Sequence, residues 1–105
     1  MKKDIVVGLG EIGLPILKLI SKKENVVGYD VNKKLMNEKK FIKFQTIKTR
    51  FLHIAIPVNK NFNSNVLQLC KKFEPECVVI HSTISPGTTE RIQKKFNIPI
   101  IFSAT

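Results

Sequence analysis

Five short runs of β-branched and other apolar residues alternate with amphipathic stretches along this chain, and this rhythm constrains its fold more than any other feature. The runs predict strands over residues 4–7, 25–30, 51–56, 77–82 and 98–102. Strands that alternate with helices imply a parallel sheet with right-handed crossovers, and nearly continuous apolar strands imply cover on both faces. We therefore expect a Rossmann-like α/β fold of three layers, with a parallel sheet of about five strands in the order 3-2-1-4-5.

The stretches between these runs carry helix signals. A broadly apolar helix is predicted over 12–20, and a short helix capped by Asn32 carries Leu35 and Met36. A third predicted helix has Val66, Leu67, Cys70 and Phe73 on one face. A fourth begins at Ser85-Pro86 and ends at about residue 96. The segment 41–46 is ambiguous, and a small extra strand is open there.

Length and composition exclude several classes of protein. The 105 residues fit one domain, and no apolar run approaches the ~20 residues of a membrane helix. The N-terminus lacks a signal-peptide layout, so a cytoplasmic protein is expected. The formal charge is +10, but the lysines are scattered in pairs without a basic arm, so no specific nucleic-acid partner is expected.

The residues that most often bind metals are few. Cys70 and Cys77 form neither a disulfide framework nor a ligand set, and both are expected to be small core residues in a reducing compartment. His53 and His81 lie within strand-like runs, where we expect buried structural histidines. No metal site is predicted.

The chemistry-bearing motif is Gly8-x-Gly10-x-x-Gly13, which follows the first strand and opens the first helix. In a dinucleotide-binding fingerprint, the glycine matching Gly8 permits the tight turn. The one matching Gly10 lets the backbone approach a pyrophosphate, and the one matching Gly13 lets helix and strand pack closely. The free N–H groups and positive dipole end of the helix favour phosphate. A glycine turn without a ligand is the alternative.

Asp30 ends the second predicted strand, 17 residues after Gly13. A carboxylate at this place accepts hydrogen bonds from the adenosine ribose and repels the 2′-phosphate of NADP, so the expected cofactor is NAD. Glu11 complicates this interpretation. Its carboxylate is expected in the first helical turn, where it suits the dipole but crowds the pyrophosphate.

Three segments resemble the UDP-glucose/GDP-mannose (nucleotide-sugar) dehydrogenase family. Val7-Gly8-Leu9-Gly10-Glu11-Ile12-Gly13-Leu14-Pro15 resembles its opening fingerprint, and Ile54-Ala55-Ile56-Pro57 resembles its third strand and turn. Ser82-Thr83-Ile84-Ser85-Pro86-Gly87-Thr88-Thr89-Glu90 is similar to its Ser-Thr-Val-Pro-Pro-Gly-Thr-Thr segment. The matched pattern covers nearly the whole chain.

The resemblance implies oxidation of a nucleotide-sugar alcohol to a carboxylate, through two hydride transfers to NAD. It implies that Thr83 lies by the nicotinamide and helps to hold a catalytic water. The expected cofactor-binding residues are Gly8, Leu9, Gly10, Glu11, Ile12, Gly13, Asp30, Val31, Ala55, Ile56, Pro57, Ser82 and Thr83. The alternative for 82–89 is a strand-to-helix turn with capping hydroxyls.

The departures from the family pattern affect catalysis. The interval between Asp30 and the third strand is short, and no counterpart of the family's helical insertion is found there. The family's catalytic glutamate, lysine, asparagine and cysteine and its central helical and C-terminal domains lie beyond Thr105. Residues 1–105 are thus expected to form a single NAD-binding domain that is inactive alone.

Three hypotheses follow. The leading one is a domain of the nucleotide-sugar 6-dehydrogenase type, which requires another chain, or a second copy, for the missing half. The second is a stand-alone, non-catalytic dinucleotide-binding module that has no need of Thr83. The third is a fragment of another 3-hydroxyacid-type dehydrogenase, which the Pro-Gly-Thr-Thr run disfavours.

Overall fold

The computed structural model describes residues 1–23, 25–57, 60–81 and 98–103. Within these residues the strands are β1 (Lys2–Val7), β2 (Val26–Tyr29), β3 (Lys48–Ile54), β4 (Cys77–Ile80) and β5 (Ile100–Phe102). The helices are α1 (Gly13–Ile20), α2 (Glu38–Lys43) and α3 (Phe62–Phe73), with a 3₁₀ turn at Lys33–Leu35. All described strand pairs are parallel, and the sheet has the order β2-β1-β3-β4-β5. The predicted Rossmann-like α/β fold is confirmed.

Strand alternation divides the core between the two faces of the sheet. On one face, α1 covers Val6, Leu9 and Val26. On the other face, α3 contributes Phe62, Val66 and Cys70 to a larger cluster built on the strand residues Ile5, Val7, Val27, Leu52, Ile54, Val78 and Ile80. This alternation follows from the strand period of two, and it gives the three expected layers.

The predicted strand order was wrong. The third strand pairs with β1, where the order 3-2-1-4-5 would place it outside β2. The pairing of β1 with β3 extends from Lys2↔Lys48 to Val7↔Ile54. Because β3 has seven residues, it pairs along the whole of β1, whereas β4 has only four residues and could not. Asp4 of β1 is 3% exposed, and Arg50 of β3 donates two hydrogen bonds of 3.1 Å to its carboxylate. A buried carboxylate needs such a partner, and only this order provides Arg50.

The other elements are close to those predicted. The ambiguous segment 41–46 is no strand: residues 41–43 complete α2, and Phe41 packs against Tyr29 with ring centres 5.6 Å apart. Asn32 caps the 3₁₀ turn by accepting from the N–H of Lys34 at 3.2 Å. The predicted helix after Ser85 lies outside the described residues. None of the described helices is long and apolar enough to cross a membrane.

The two cysteines and the two histidines, all expected to be buried, differ in how far they are buried. Cys70 and Cys77 are both buried and unbridged, as expected, and burial raises the pKa of each thiol. His53 and His81 are only half-buried. The expectation of buried histidines was therefore wrong. Their strand neighbours Leu52, Ile54 and Ile80 face the larger cluster, so by alternation the two rings lie on the opposite face of the sheet and outside that cluster.

Candidate functional site

The carboxyl ends of β1, β2 and β3 meet at a cavity of about 930 Å³. This volume is within the range of small-molecule and cofactor sites. The lining residues are Val7, Gly8, Gly10, Glu11, Ile12, Tyr29, Asp30, Val31, Leu35, Ala55, Ile56, Pro57, Asn65, Gln68, Leu69 and Lys72. Parallel sheets bind ligands at this edge, so the cavity is the principal candidate site among the described residues.

Two glycines, one in the loop after β1 and one at the start of α1, are required by the chain itself. Gly8 has a φ of +92°, and a Cβ atom there would lie 2.5 Å from the carbonyl oxygen of Ala55. At Gly13 a Cβ atom would lie 1.5 Å from the carbonyl oxygen of Gly8. The geometry agrees with a tight turn at Gly8 and close packing of helix against strand at Gly13.

Gly10 is different, because the chain itself does not require a glycine there. No atom of the described residues would lie within 4 Å of a Cβ atom at this position, and φ is not in the left-handed region. Gly10 is nevertheless exposed in the cavity, at the turn that leads into α1. A side chain here would project into the space where a ligand could approach the backbone.

The N-terminus of α1 borders the same space. Its N-cap is Ile12, which has no side chain able to accept a hydrogen bond from the first-turn N–H groups. In the first turn the N–H of Leu14 bonds to the carbonyl oxygen of Gly10 at 3.1 Å and Pro15 has no N–H, which leaves the N–H of Gly13 for an anion. Glu11 lies in the turn before the N-cap, so the expectation that it occupies the first helical turn was wrong. Its exposed side chain still lines the cavity.

Asp30 joins the glycine loop to the end of β2. Its Oδ2 accepts a hydrogen bond of 2.8 Å from the backbone N–H of Leu9, and its Oδ1 accepts one of 2.8 Å from the N–H of Asn32. A carboxylate has about four acceptor positions, so each oxygen keeps capacity for a ligand hydroxyl. Asp30 therefore holds the glycine loop in place and can also accept a hydrogen bond from a ligand in the cavity.

Leu9 itself points away from the cavity. Its side chain is 2% exposed and packs over Gly28, where a Cβ atom would lie 2.8 Å from both Leu9 methyl carbons. Only the backbone of Leu9 faces Asp30. Leu9 and Gly13 are thus the two described members of the predicted cofactor-binding set that do not line the cavity.

The remaining predicted residues divide into two groups. The cavity brings together Gly8, Gly10, Glu11, Ile12, Asp30, Val31, Ala55, Ile56 and Pro57. Ser82 and Thr83 lie outside the described residues. Exposed apolar side chains line the same cavity as Asp30: Val31 is 92% exposed, Leu35 47% and Ile12 48%. Such side chains are suited to the faces of a planar ring.

One wall of the cavity was not predicted. Asn65, Gln68, Leu69 and Lys72 line it from α3, at the spacing of one helix face. The ammonium group of Lys72 donates to the Tyr29 hydroxyl at 2.9 Å and lies 4.5 Å from the centre of that ring. In the sequence, these four residues form a second stripe at helical spacing beside the core stripe of Val66 and Cys70. The stripe could have indicated this wall, but its mixed polarity resembles an ordinary solvent-facing surface.

Comparisons of the chain with protein-family models, with curated proteins and with solved structures found no match.

Proposed function

We propose that this chain binds a dinucleotide at the carboxyl edge of its sheet, and that NAD is the dinucleotide it fits best. Gly10 carries the proposal. The described residues leave open space around it, so nothing in them requires a glycine, whereas a ligand that approaches the backbone would. A pyrophosphate that approaches the backbone at a helix N-terminus is a ligand that imposes such a requirement.

Asp30 supports an adenosine half next to the pyrophosphate. Its two oxygens face the glycine loop and the 3₁₀ turn, and each has acceptor capacity left for a ribose hydroxyl. A phosphate on the 2′-oxygen would meet this negative charge, which favours NAD over NADP. The apolar side chains of Val31 and Leu35 beside it would contact the base.

In this proposal each part of the cavity has a role. Backbone N–H groups from Gly10 to Gly13 would face the pyrophosphate, since those of Gly8 and Leu9 bond to Tyr29 and Asp30. Asp30 would hold the ribose. Residues 55–57, at the end of β3, would border the opposite half of the ligand. NAD supplies a nicotinamide that accepts hydride. The protein contributes orientation and an environment that excludes water.

We further propose that the domain is of the nucleotide-sugar dehydrogenase type. The support is the resemblance of the loop and of residues 54–57, whose matched positions Gly10, Ala55 and Pro57 line one cavity. A non-catalytic dinucleotide module is the alternative. Substitution of Thr83 separates the two, because a module would bind NAD unchanged, whereas turnover by an assembled dehydrogenase would fall.

Calorimetric titration of the purified chain with NAD, with NADP as the comparison ligand, tests the proposal. We expect saturable binding of NAD that is tighter than that of NADP by about tenfold or more. Equal affinity for the two ligands would contradict the role of Asp30. The absence of binding at millimolar NAD would contradict the proposed function as a whole.

A further inference from the structure

His53 and His81 form a pair on the α1 side of the sheet, outside the cavity lining. His53 belongs to β3, and His81 directly follows β4. Because His53 pairs in register with Val79, the two histidines are diagonal neighbours on one face. The Nδ1 atom of His53 lies 2.9 Å from the Nε2 atom of His81, which is the distance of a hydrogen bond.

The ring geometry identifies what can lie between these nitrogens. The ring centres are 5.2 Å apart and the planes differ by 22°. The distance between the ring centres is longer than the nitrogen–nitrogen distance of 2.9 Å by about two imidazole radii. The difference reaches this maximum only when both ring centres and both nitrogens lie on one line. The two rings therefore lie end to end, with one nitrogen pointing directly at the other.

A proton fits this gap and a metal ion does not. A metal ion on that line, bound to both nitrogens at the ~2.0–2.1 Å of zinc, would require them about 4 Å apart. Within the described part of the chain, no cluster of three or more His, Cys, Asp or Glu residues could hold a metal. One nitrogen thus carries the shared hydrogen and the other accepts it.

The surroundings keep the pair uncharged near neutral pH. Burial, followed by the neighbouring His81, lowers the pKa of His53 to about 4, although Asp4 of β1 raises it and Arg50 of β3 lowers it further. Burial also lowers the pKa of His81. Cys77 lies on the same face of β4, with a thiol whose pKa is raised by burial.

We propose that the His53–His81 pair is an acid-sensitive latch beside the end of β3, whose next residues line the dinucleotide cavity. A first added proton can occupy an outer ring nitrogen and leave the shared hydrogen in place. A second proton puts hydrogen on both facing nitrogens, so the rings must separate. The pair spans the junction at which the N–H of His81 bonds to the carbonyl oxygen of Ile54 at 2.9 Å.

The junction is continuous with the cavity. Ala55 follows Ile54, its N–H bonds to the carbonyl oxygen of Val7 at 2.9 Å, and both Ala55 and Val7 line the cavity. Separation of the rings displaces this wall and weakens ligand binding. The effect on the ligand rests on the proposed function, whereas the shared proton does not.

Two measurements test the latch separately. Nitrogen-15 NMR of the chain, whose sequence has only two histidines, reports both rings without ambiguity. We expect two titration steps and one slowly exchanging imidazole N–H signal, which survives the first step and is lost in the second. Independent titration of the rings, or loss of the signal only when the far-ultraviolet circular dichroism of the fold is also lost, would overturn the proposal.

The second measurement is the affinity for NAD from near pH 7 to about pH 4. We expect about a tenfold loss for the natural chain and less than about threefold for a His53→Asn/His81→Asn variant, which also reports the titration of the ligand itself. An equal loss in both proteins would overturn the latch. Failure of NAD to bind at any pH would contradict the proposed function and leave the NMR test of the shared proton intact.

Discussion

The carboxylate of Asp30 accepts a hydrogen bond from the backbone N–H of Leu9 at 2.8 Å, and this bond fixes the glycine loop against the end of β2. The two residues are 21 positions apart in the sequence. The bond means that the acidic residue of the motif acts on the loop as well as on a ligand. Substitutions of Asp30 consequently test two roles, which a pair of variants can separate.

Asp30→Asn retains an acceptor oxygen for the N–H of Leu9 but removes the charge and the acceptor for the N–H of Asn32, whereas Asp30→Ala removes all three. We expect NAD affinity to fall about tenfold in the first variant and more in the second, with the preference over NADP reduced in both. Glu38→Gln, at the exposed start of α2 and outside the cavity lining, is the matched control. Calorimetry that shows no loss in Asp30→Asn would exclude the carboxylate from ligand binding.

Glu11→Gln is expected to strengthen NAD binding by about threefold, because it removes a negative charge from the turn that would face the pyrophosphate. The glutamine keeps the size of the side chain. The gain should shrink at high salt, since Glu11 is exposed and its charge is screened. Unchanged or weaker binding at low salt would place the pyrophosphate elsewhere.

Lys72→Gln is expected to weaken NAD binding by about threefold, since Lys72 is the one cationic side chain among the described residues that line the cavity. The neighbouring Lys71→Gln changes the net charge equally on exposed helix surface and should leave the affinity unchanged. If both variants weaken binding equally, the effect comes from the overall charge of +10 and not from a contact in the cavity.

The free energy of unfolding should fall as the pH drops from about 6.5 to about 4. The pKa of His53 is about 4 in the folded protein, below the ordinary value of 6.5, so the unfolded chain binds more protons within this interval. Allowing for the partial solvent exposure of the ring, we expect a loss of about 2 kcal/mol. Urea unfolding at several pH values measures it, and His53→Asn should reduce the loss, leaving the smaller part that comes from His81. An increase in stability on acidification would reverse the assigned sign.

Sequence reasoning located the strands because their apolar runs are continuous, and it located Gly8 and Gly13 because their backbone requirements are local. It could not fix the strand order, since the right-handed crossover rule allows the third strand to lie on either side of the first two. The choice depends on Asp4 and Arg50, which lie 46 residues apart. Lys72 and the histidine pair were missed for the same reason, because their contacts exist only after the chain has folded.

The most direct test of the central claim is a side-by-side titration of NAD into the natural chain and Gly10→Ala, with thermal unfolding of both proteins. We predict unchanged stability for Gly10→Ala, since no atom of the described residues lies within 4 Å of the added methyl group, and NAD binding weakened by about tenfold or more. Gly13→Ala, by contrast, should destabilise the fold, since its methyl group would overlap the carbonyl of Gly8. Equal NAD affinity in Gly10→Ala and the natural chain would contradict the claim that this loop holds the pyrophosphate.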